Sequence, residues 1–546
     1  MRKTTYDLKS LDADFQSAYN GGDDYHGDMV EYIDYYRNSA FYAVRKGERL
    51  PRNYITVNLL QTFADKNIQF NADFPKITCS NPITDDDSRL STDLREKIVY
   101  ATWAKSMGEL LQPKWAADTT LQSVAIAETC WDRDAKEVYV KRYDPRYCYW
   151  VKSNNNDNTL QSFFMAVPVT KEEIWQKYGK VIGGSGIDPF AYDDTGVMEH
   201  LDDREWTMMI TYVDDEVRAV WAGDQFIETP HKHDVGTFPI DICIPLPDYQ
   251  TNLRGDFYLR PLIPLQAELN HAFKMRANII RKMGSPAVWA RGLYSRQLEE
   301  VLRALQGDGG LVGLKGQGEL GILSPPETAM IDNHINDLIL QMQRIAGYNN
   351  ASFGESVGAN ASGDTYGMLF APTTRSVGFQ QQAWKGFYRS INSKILYLYD
   401  KKLTGGVKKK LVGYKPYTTV KGSHKNTTSS YDRGGVFSVE FTRQNINGQY
   451  DTEIEFTPPA PKDELAWARL WYEMASAGQI SKVTMYDKVG IKSPEDERQL
   501  LELEQSNPYL NPEGMSRLAE VGVKGMALDQ KTPPAAAKKP TSGSAY

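Results

Sequence analysis

Four stretches of this sequence hold residue types from which chemistry is made. His231-Lys232-His233-Asp234 places two imidazoles two residues apart, an alternation that would point both to one side of a strand, and Asp241 adds a second carboxylate nearby. Such a set could serve a metal-dependent hydrolase or nuclease. That protein would lose activity on His233→Ala and would run as a monomer or small oligomer. No further Cys/His cluster stands close enough to complete a ligand shell, so the pair reads as structural and no metal or other cofactor is implied. Gly316-Gln317-Gly318-Glu319-Leu320-Gly321 matches G-x-G-x-x-G, but phosphate binding by that motif needs a strand before it and a helix N-terminus after it. Pro325-Pro326 follows, so the glycines read as a turn. No G-x-x-x-x-G-K-[ST] occurs, so no P-loop ATPase is encoded. Cys79, Cys130, Cys148 and Cys243 fit no metal spacing and read as buried thiols of a reducing compartment. Lys401 to Lys425 carries eight lysines and no acid. A solvated hairpin is the plainer reading there, a contact with DNA or an acidic partner the sharper one.

The elements that must position these residues point away from an enzyme. At 546 residues the chain has room for two to four domains, and 41% apolar residues is ordinary globular composition. No apolar run approaches the 18 or so residues of a membrane span, and the charged N-terminal residues do not form a signal peptide. A net charge of −7 excludes a protein that coats nucleic acid with a broad basic face. It does not exclude a conduit, since an acidic wall lets DNA pass without counterion-release affinity. The spacing predicts helices over Asn58–Ala72 (ending before Pro75), Ser91–Met107 and Lys114–Ala127. Glu128–Tyr149 reads as a hairpin turning at Asp132–Lys136, and Glu205–Thr229 as two more strands with turns at Asp214-Asp215 and Gly223-Asp224. Lys152–Asn158 and Gly179–Asp194 read as loops. Tyr25, Tyr32, Tyr35, Tyr36 and Tyr42 suggest an aromatic packing or subunit-contact surface.

Two later helices organise the rest. The first, Leu262–Met283, places Leu262, Leu265, Leu269, Ala272, Phe273, Ile279 and Ile280 on one face, with Gln266, Asn270, Lys274, Arg276, Arg281 and Lys282 largely elsewhere. The second, Ala329–Ala346, lines up Ile331, Ile335, Leu338, Ile339, Met342 and Ile345 against Asp332, Asn333, Asn336, Asp337 and Gln341. Between them lie strand-like pieces (Ala287–Arg291, Leu311–Leu314, Leu320–Leu323) and a short helix, Ser295–Gln306. After them come a small-residue stretch, Asn349–Gly363, a long helix to Leu403 with an expected kink at Pro372, and a helical block from Lys462 to Gln505. The Pro/Ala/Lys-rich tail lacks the apolar surface to offset ordering.

In order and in residues this chain resembles, over roughly residues 50 to 505, the portal (head-to-tail connector) proteins of tailed double-stranded-DNA bacteriophages. The resemblance rests on the asparagine-started helix at Asn58, the helix pair and hairpin closed by Asp144-Pro145, the His233, Gly236 and Pro239 pattern, the Arg254-Gly255 pair before the first long helix, and Ala361-Ser362-Gly363. It implies an α+β fold with a mixed α/β wing, a two-helix stem, a small α/β clip, a long kinked tunnel helix and a helical crown. The implied divisions are an N-terminal part and wing at 1–258, stem helix one at 259–284, clip at 285–328, stem helix two at 329–348, tunnel loop at 349–363, kinked wing helix at 364–404, wing strands at 405–460, crown at 461–505 and tail at 506–546.

The resemblance also implies a homo-oligomeric ring, usually of twelve, at one capsid vertex of the virion, assembled in the host cytoplasm. Double-stranded DNA would pass through it without sequence preference, and terminase, tail adaptor, capsid and scaffolding protein would be its partners, with no membrane. Asn349, Asn350, Ser352, Glu355, Ser356, Asn360 and Ser362 would stand near DNA in the tunnel loop. Lys274, Arg276, Arg281, Lys282 and Arg344 would meet phosphate or a neighbouring subunit. Arg291, Tyr294, Arg296, Glu299 and Arg303 would face a docking partner on the clip. A non-portal structural virion protein, forming no closed ring with an axial hole, is the remaining alternative.

Overall fold

The computed structural model describes residues 6–38, 56–79, 86–153, 156–182, 205–248, 253–284, 288–292, 319–322, 328–348, 363–403, 406–415, 435–456 and 472–474, with 299, 301, 303 and 476 singly. By contacts the chain divides into two units, Met1–Gly413 with Ser438–Pro461, and Tyr414–Phe437 with Lys462–Tyr546. Little of the second is described; residues 472–474 and 476 there are helical. Most of the expected crown, and the tail, lie outside the described residues.

The first unit starts with a long helix, α1 (Leu8–Tyr36), whose tyrosines face inward. Tyr25 and Tyr32 are buried and Tyr35 and Tyr36 pack at the edge of the same core, so their role is packing; Tyr42 lies outside the described residues. Asn58 caps α2 (Leu59–Asn71) by accepting the Gln61 N–H, as its position ahead of an apolar run predicts. β1 (Lys76–Cys79) pairs antiparallel with β14 (Thr452–Glu455). The next two helices are α3 (Asp86–Lys105) and α4 (Gly108–Leu121), joined at Met107 in the left-handed region. The sequence reading places the second of these too late. The helix runs through Pro113, which costs one ladder bond, and stops at Leu121, after which Ser123 in the left-handed region (φ +62°) turns the chain into a strand.

That strand, β2 (Ala125–Asp132), is central in a three-stranded antiparallel sheet between β3 (Glu137–Tyr143) and β9 (Ile240–Cys243), with the turn at the predicted place. A five-stranded antiparallel meander follows: β4 (Cys148–Ser153), β5 (Asn156–Thr170), β6 (Trp206–Val213), β7 (Val217–Ala222) and β8 (Gln225–Lys232). Two expectations change here. The Lys152–Asn158 loop is mostly strand, because β4 and β5 extend into its polar residues, and Glu205–Thr229 holds three strands, the third continuing to Lys232. A short helix, α5 (Lys171–Tyr178), leaves β5 through a Thr170/Glu173 capping box and stops at Gly179 (φ +64°).

The two organising helices are α6 (Ile263–Gly284) and α7 (Ala329–Ala346), and between them β10 (Val288–Arg291) pairs antiparallel with β11 (Glu319–Ile322). α8 (Gly363–Lys402) then runs 40 residues, with Pro372 inside it. Beyond it, β12 (Lys409–Lys415) and β13 (Gly435–Phe441) form a two-stranded sheet. A buried polar hub fixes α8 against earlier helices. Asn71 donates to Gln380 (3.0 Å), Gln380 to Asn67 (3.1 Å), and Tyr388 to Gln112 (2.8 Å). All four cysteines are free and buried, as expected.

Candidate functional site

The pair α6 and α7 is antiparallel, as three cross-contacts of opposite progression require. Tyr258 donates to the Ala346 carbonyl (3.4 Å), Glu268 lies 3.6 Å from His334, and Arg276 Nε lies 2.7 Å from Asp332. Leu262, Leu269 and Ala272 meet Ile335, Leu338, Met342 and Ala346 in one apolar seam, continuous with Leu60 and Phe63 of α2. Gly347 (φ +76°) ends α7: its N–H and that of Tyr348 return to the Arg344 and Gln343 carbonyls, and Thr373 of α8 donates to the Gly347 carbonyl (2.9 Å).

The base of this pair is locked by aromatic and polar contacts. Tyr32 stacks on Phe257 at 4.3 Å between ring centroids, and the Arg254 guanidinium lies 5.2 Å over the Tyr25 ring. Tyr25 accepts the Gly255 N–H (3.2 Å) and its hydroxyl meets Ser123 Oγ at 2.5 Å. Burial pushes that phenol above its ordinary range, which keeps it neutral and able to do both. A Cβ on Gly255 would sit 2.3 Å from the Ser123 carbonyl oxygen, so no other residue fits without moving backbone. The Arg254-Gly255 pair thus has a physical reason. Arg260 adds contacts to the Tyr32 hydroxyl and Asp28, both at 3.2 Å.

Gln266 corrects the helical-face expectation. It is fully buried, its amide donates to the Val57 carbonyl and Asn270, and its carbonyl accepts the Leu59 N–H (3.1 Å). Asn270 accepts the Val57 N–H (3.2 Å). One turn of α6 therefore supplies partners for a backbone segment that enters α2 without a regular ladder. Two amides four residues apart, flanking an apolar stripe, were the available signal.

The far end of the pair is different. Trp289 and Gly321 are opposite each other in the β10–β11 ladder, and a Cβ on Gly321 would lie 2.4 Å from the indole. This gives the last glycine of the G-x-G-x-x-G run a packing role in a strand; residues 316–318 lie outside the described residues. Met275, Ile280 and Met330 are exposed toward this end, Met330 at 82% and Ile280 at 51%, and Leu340 and Ile345 are exposed in the half of α7 nearer the base. Ile280 and Ile345 belong to faces expected to be covered, and within one chain they are not.

Of the cationic residues singled out, Arg276 is paired with Asp332 of the same chain, Lys274, Arg281 and Arg344 are exposed, and the Lys282 side chain lies outside the described residues. Arg291, Glu299 and Arg303 are exposed, while Tyr294 and Arg296 lie outside. Asn349, Asn350, Ser352, Glu355, Ser356, Asn360 and Ser362 all lie outside the described residues.

The histidine pair does not assemble as a ligand set. His231 meets the Thr229 carbonyl and His233 the Asp214 carbonyl, each at 3.0 Å. Asp234 is held by Arg133 and Lys402, and Asp241 by Lys394 at 2.8 Å. Among the described residues no group of three or more His, Cys, Asp or Glu could hold a metal ion, and no helix is long and apolar enough to cross a membrane.

Comparison with known proteins gives one family. The family model described as phage portal protein, SPP1 Gp6-like, matches residues 18–507 of the chain. No curated protein matches it.

Proposed function

The chain belongs to the SPP1 Gp6-like phage portal protein family, and from that premise we propose how its elements are used. As a portal protein it is a structural component of the virion at a capsid vertex, forming an oligomeric ring that works with capsid and terminase. The finer reading concerns this chain's own parts. Twelve copies arrange α6 and α7 as antiparallel staves around an axial channel wide enough for duplex DNA. Residues 285–328 form the clip that meets terminase during packaging and the tail adaptor afterwards. Residues 349–363 form the loop that approaches DNA, through backbone and small polar groups and without sequence preference. Assembly takes place in the host cytoplasm, with scaffolding protein as a further partner. The work is geometric and electrostatic, and no bond is made or broken.

The observation that carries this reading is the uncovered apolar surface on the outer halves of α6 and α7, at Met275, Ile280 and Met330, with Leu340 and Ile345 exposed along the inner half of α7. A soluble single chain has no reason to expose such side chains together on two packed helices, whereas a ring with head-to-tail contacts covers them with its neighbours. Native mass measurement with negative-stain imaging of the purified protein tests it. A closed ring with an axial hole is expected. Monomers at high concentration, or a ring without a hole, would sink it.

A further inference from the structure

At the C-terminal end of α8 the carboxylates are outnumbered. Asp234 is shared by Arg133 of the β2–β3 turn and Lys402 of α8. Glu137 of β3 is shared by Lys105 of α3 and Lys409 of β12, the latter at 2.7 Å. Asp400 is shared by Arg443 (3.2 Å) and Lys401 (3.6 Å). Each acid thus holds two cations, and each such group keeps a net positive charge. Lys136 stands exposed in the same turn as Arg133, and Lys408 and Lys410, which flank Lys409 in sequence, are exposed as well. Asp132 and Asp134 share the turn. The Asp132 carboxylate accepts the N–H groups of residues 134 and 135, both at 2.9 Å, and serves to shape the turn.

In a chain whose net charge is −7, a local excess of this kind is unusual. Cations in the last turn of a helix are favoured by its dipole, which accounts for Lys401 and Lys402. It does not account for Lys105, Arg133, Lys136, Lys408, Lys409 and Lys410, which come from α3, the β2–β3 turn and the start of β12. Burial alone would raise the Asp234 and Glu137 carboxyls, yet their paired cations outweigh it and hold both below the ordinary carboxylate range, so the acids stay ionised and the cations fixed in place.

We propose that this surface, formed by the β2–β3 turn, the end of α8 and the start of β12, is a docking site for the phosphate backbone of duplex DNA. It is separate from the α6–α7 pair. From Thr373, which touches the end of α7, to Lys402 is 29 residues of continuous helix, or roughly 44 Å at 1.5 Å per residue. Lys136, Lys408 and Lys410 are mobile point charges that meet phosphates without demanding register or base identity. The proposal rests on the portal reading only for the identity of the polyanion.

The test uses the full-length assembled protein and two DNAs of equal length, one linear and one a covalently closed circle that cannot thread a channel end-on. Binding is measured from about 50 to about 200 mM salt, where each phosphate contact contributes about 0.9 to the slope of log affinity against log salt. The wild type is expected to bind the closed circle. A Lys136→Asn, Lys408→Ala, Lys410→Ala variant should lower that slope by up to about 3; asparagine is chosen because Lys136 has φ +51°. A Lys408→Ala, Lys410→Ala variant, which leaves the turn untouched, should lower it by up to about 2. Equal slopes for all three proteins, or no binding of the closed circle at low salt, would overturn the proposal. So would equal competition by polyglutamate of matched charge, which would assign the surface to an acidic protein. Ring formation by native mass is read on the same samples, so failure of the portal reading and failure of this site are distinguishable.

Discussion

The two ends of the α6–α7 pair are built on opposite terms. At the base, the exceptional residues meet partners inside one chain: Gly255 against Ser123, Tyr25 between Gly255 and Ser123, Gln266 between Val57 and Leu59, Tyr32 stacked on Phe257. At the outer end, Ile280 and Met330 face solvent, and Gly321 packs on an exposed Trp289. In the proposed ring, the base is the part that folds alone and the outer end the part that a neighbour finishes. A protein of this design can reach its tertiary structure before it assembles, because the side chains that need a partner are not those that hold the fold.

The largest effect is expected where that comparison is most exposed to failure. Ile280→Ser with Met330→Ser should leave the thermal stability of the unassembled chain within about 0.5 kcal/mol, since both side chains are solvated there. The same pair should weaken assembly by roughly 4 kcal/mol, from about 1.5–3 kcal/mol per buried apolar side chain. Analytical ultracentrifugation across concentrations reads this directly. Unchanged assembly would mean that the outer halves are not subunit contacts.

The reverse pattern belongs to the base. Gly255→Ala should destabilise the chain itself by roughly 3 kcal/mol, because the new methyl meets backbone rather than a movable side chain. The readout is the denaturation midpoint of protein held below its assembly concentration. Gln266→Ala comes next, at about 2 kcal/mol, since it leaves the Val57 carbonyl and the Leu59 N–H without the partners they have now. Hydrogen exchange should show the loss at residues 57–61 first. Protection there equal to wild type would contradict the assigned role.

How much of this is readable from the residues depends on whether a signal is local. α7 is legible from Ala329 to Ala346 because its apolar period and its closing glycine lie in one stretch of sequence. The Asn58 cap and the Asp132–Lys136 turn are legible for the same reason. Gln266 is not. Its amide looks like any polar residue beside a helix face until Val57, 209 positions away, is placed against it. The fate of the histidine pair depends likewise on Asp214, and the pairing of Lys402 and Lys409 within the Lys401–Lys425 run depends on Asp234 and Glu137. The Thr170/Glu173 capping box of α5 is local and was available as a signal, although eight residues are too few for helical periodicity to show. The α4 boundary misleads because Pro113 usually marks a start, and here the helix begins five residues earlier.

Acid should loosen the α8 end before either end of the α6–α7 pair. Asp234, Glu137 and Asp400 have folded-state values held below their unfolded ones by their cations, which outweigh the opposite pull of burial. The stability they contribute is therefore present above the unfolded values of 3.8 and 4.5 and is lost as pH falls through the lower folded values. A scan of melting temperature from about pH 6 to about pH 3 should show this loss, and Glu137→Gln should flatten part of it. A variant with the same acid limb as wild type would remove Glu137 from the account.

The smallest effect discriminates most finely. Arg276 and Asp332 join the two helices about midway to the outer end, with side chains 42% and 37% exposed in the single chain. At that exposure a double-mutant cycle with Arg276→Ala and Asp332→Ala should give a coupling of about 0.5 kcal/mol, reduced further by salt. Measured in the assembled protein, the same cycle reports where covering by a neighbour begins. If the next copy reaches this level, the pair is desolvated, salt no longer screens it, and removing one partner alone costs several times more than in the free chain. If the coupling is the same in both states, the boundary between self-sufficient and neighbour-dependent structure lies farther out, between Arg276 and Ile280.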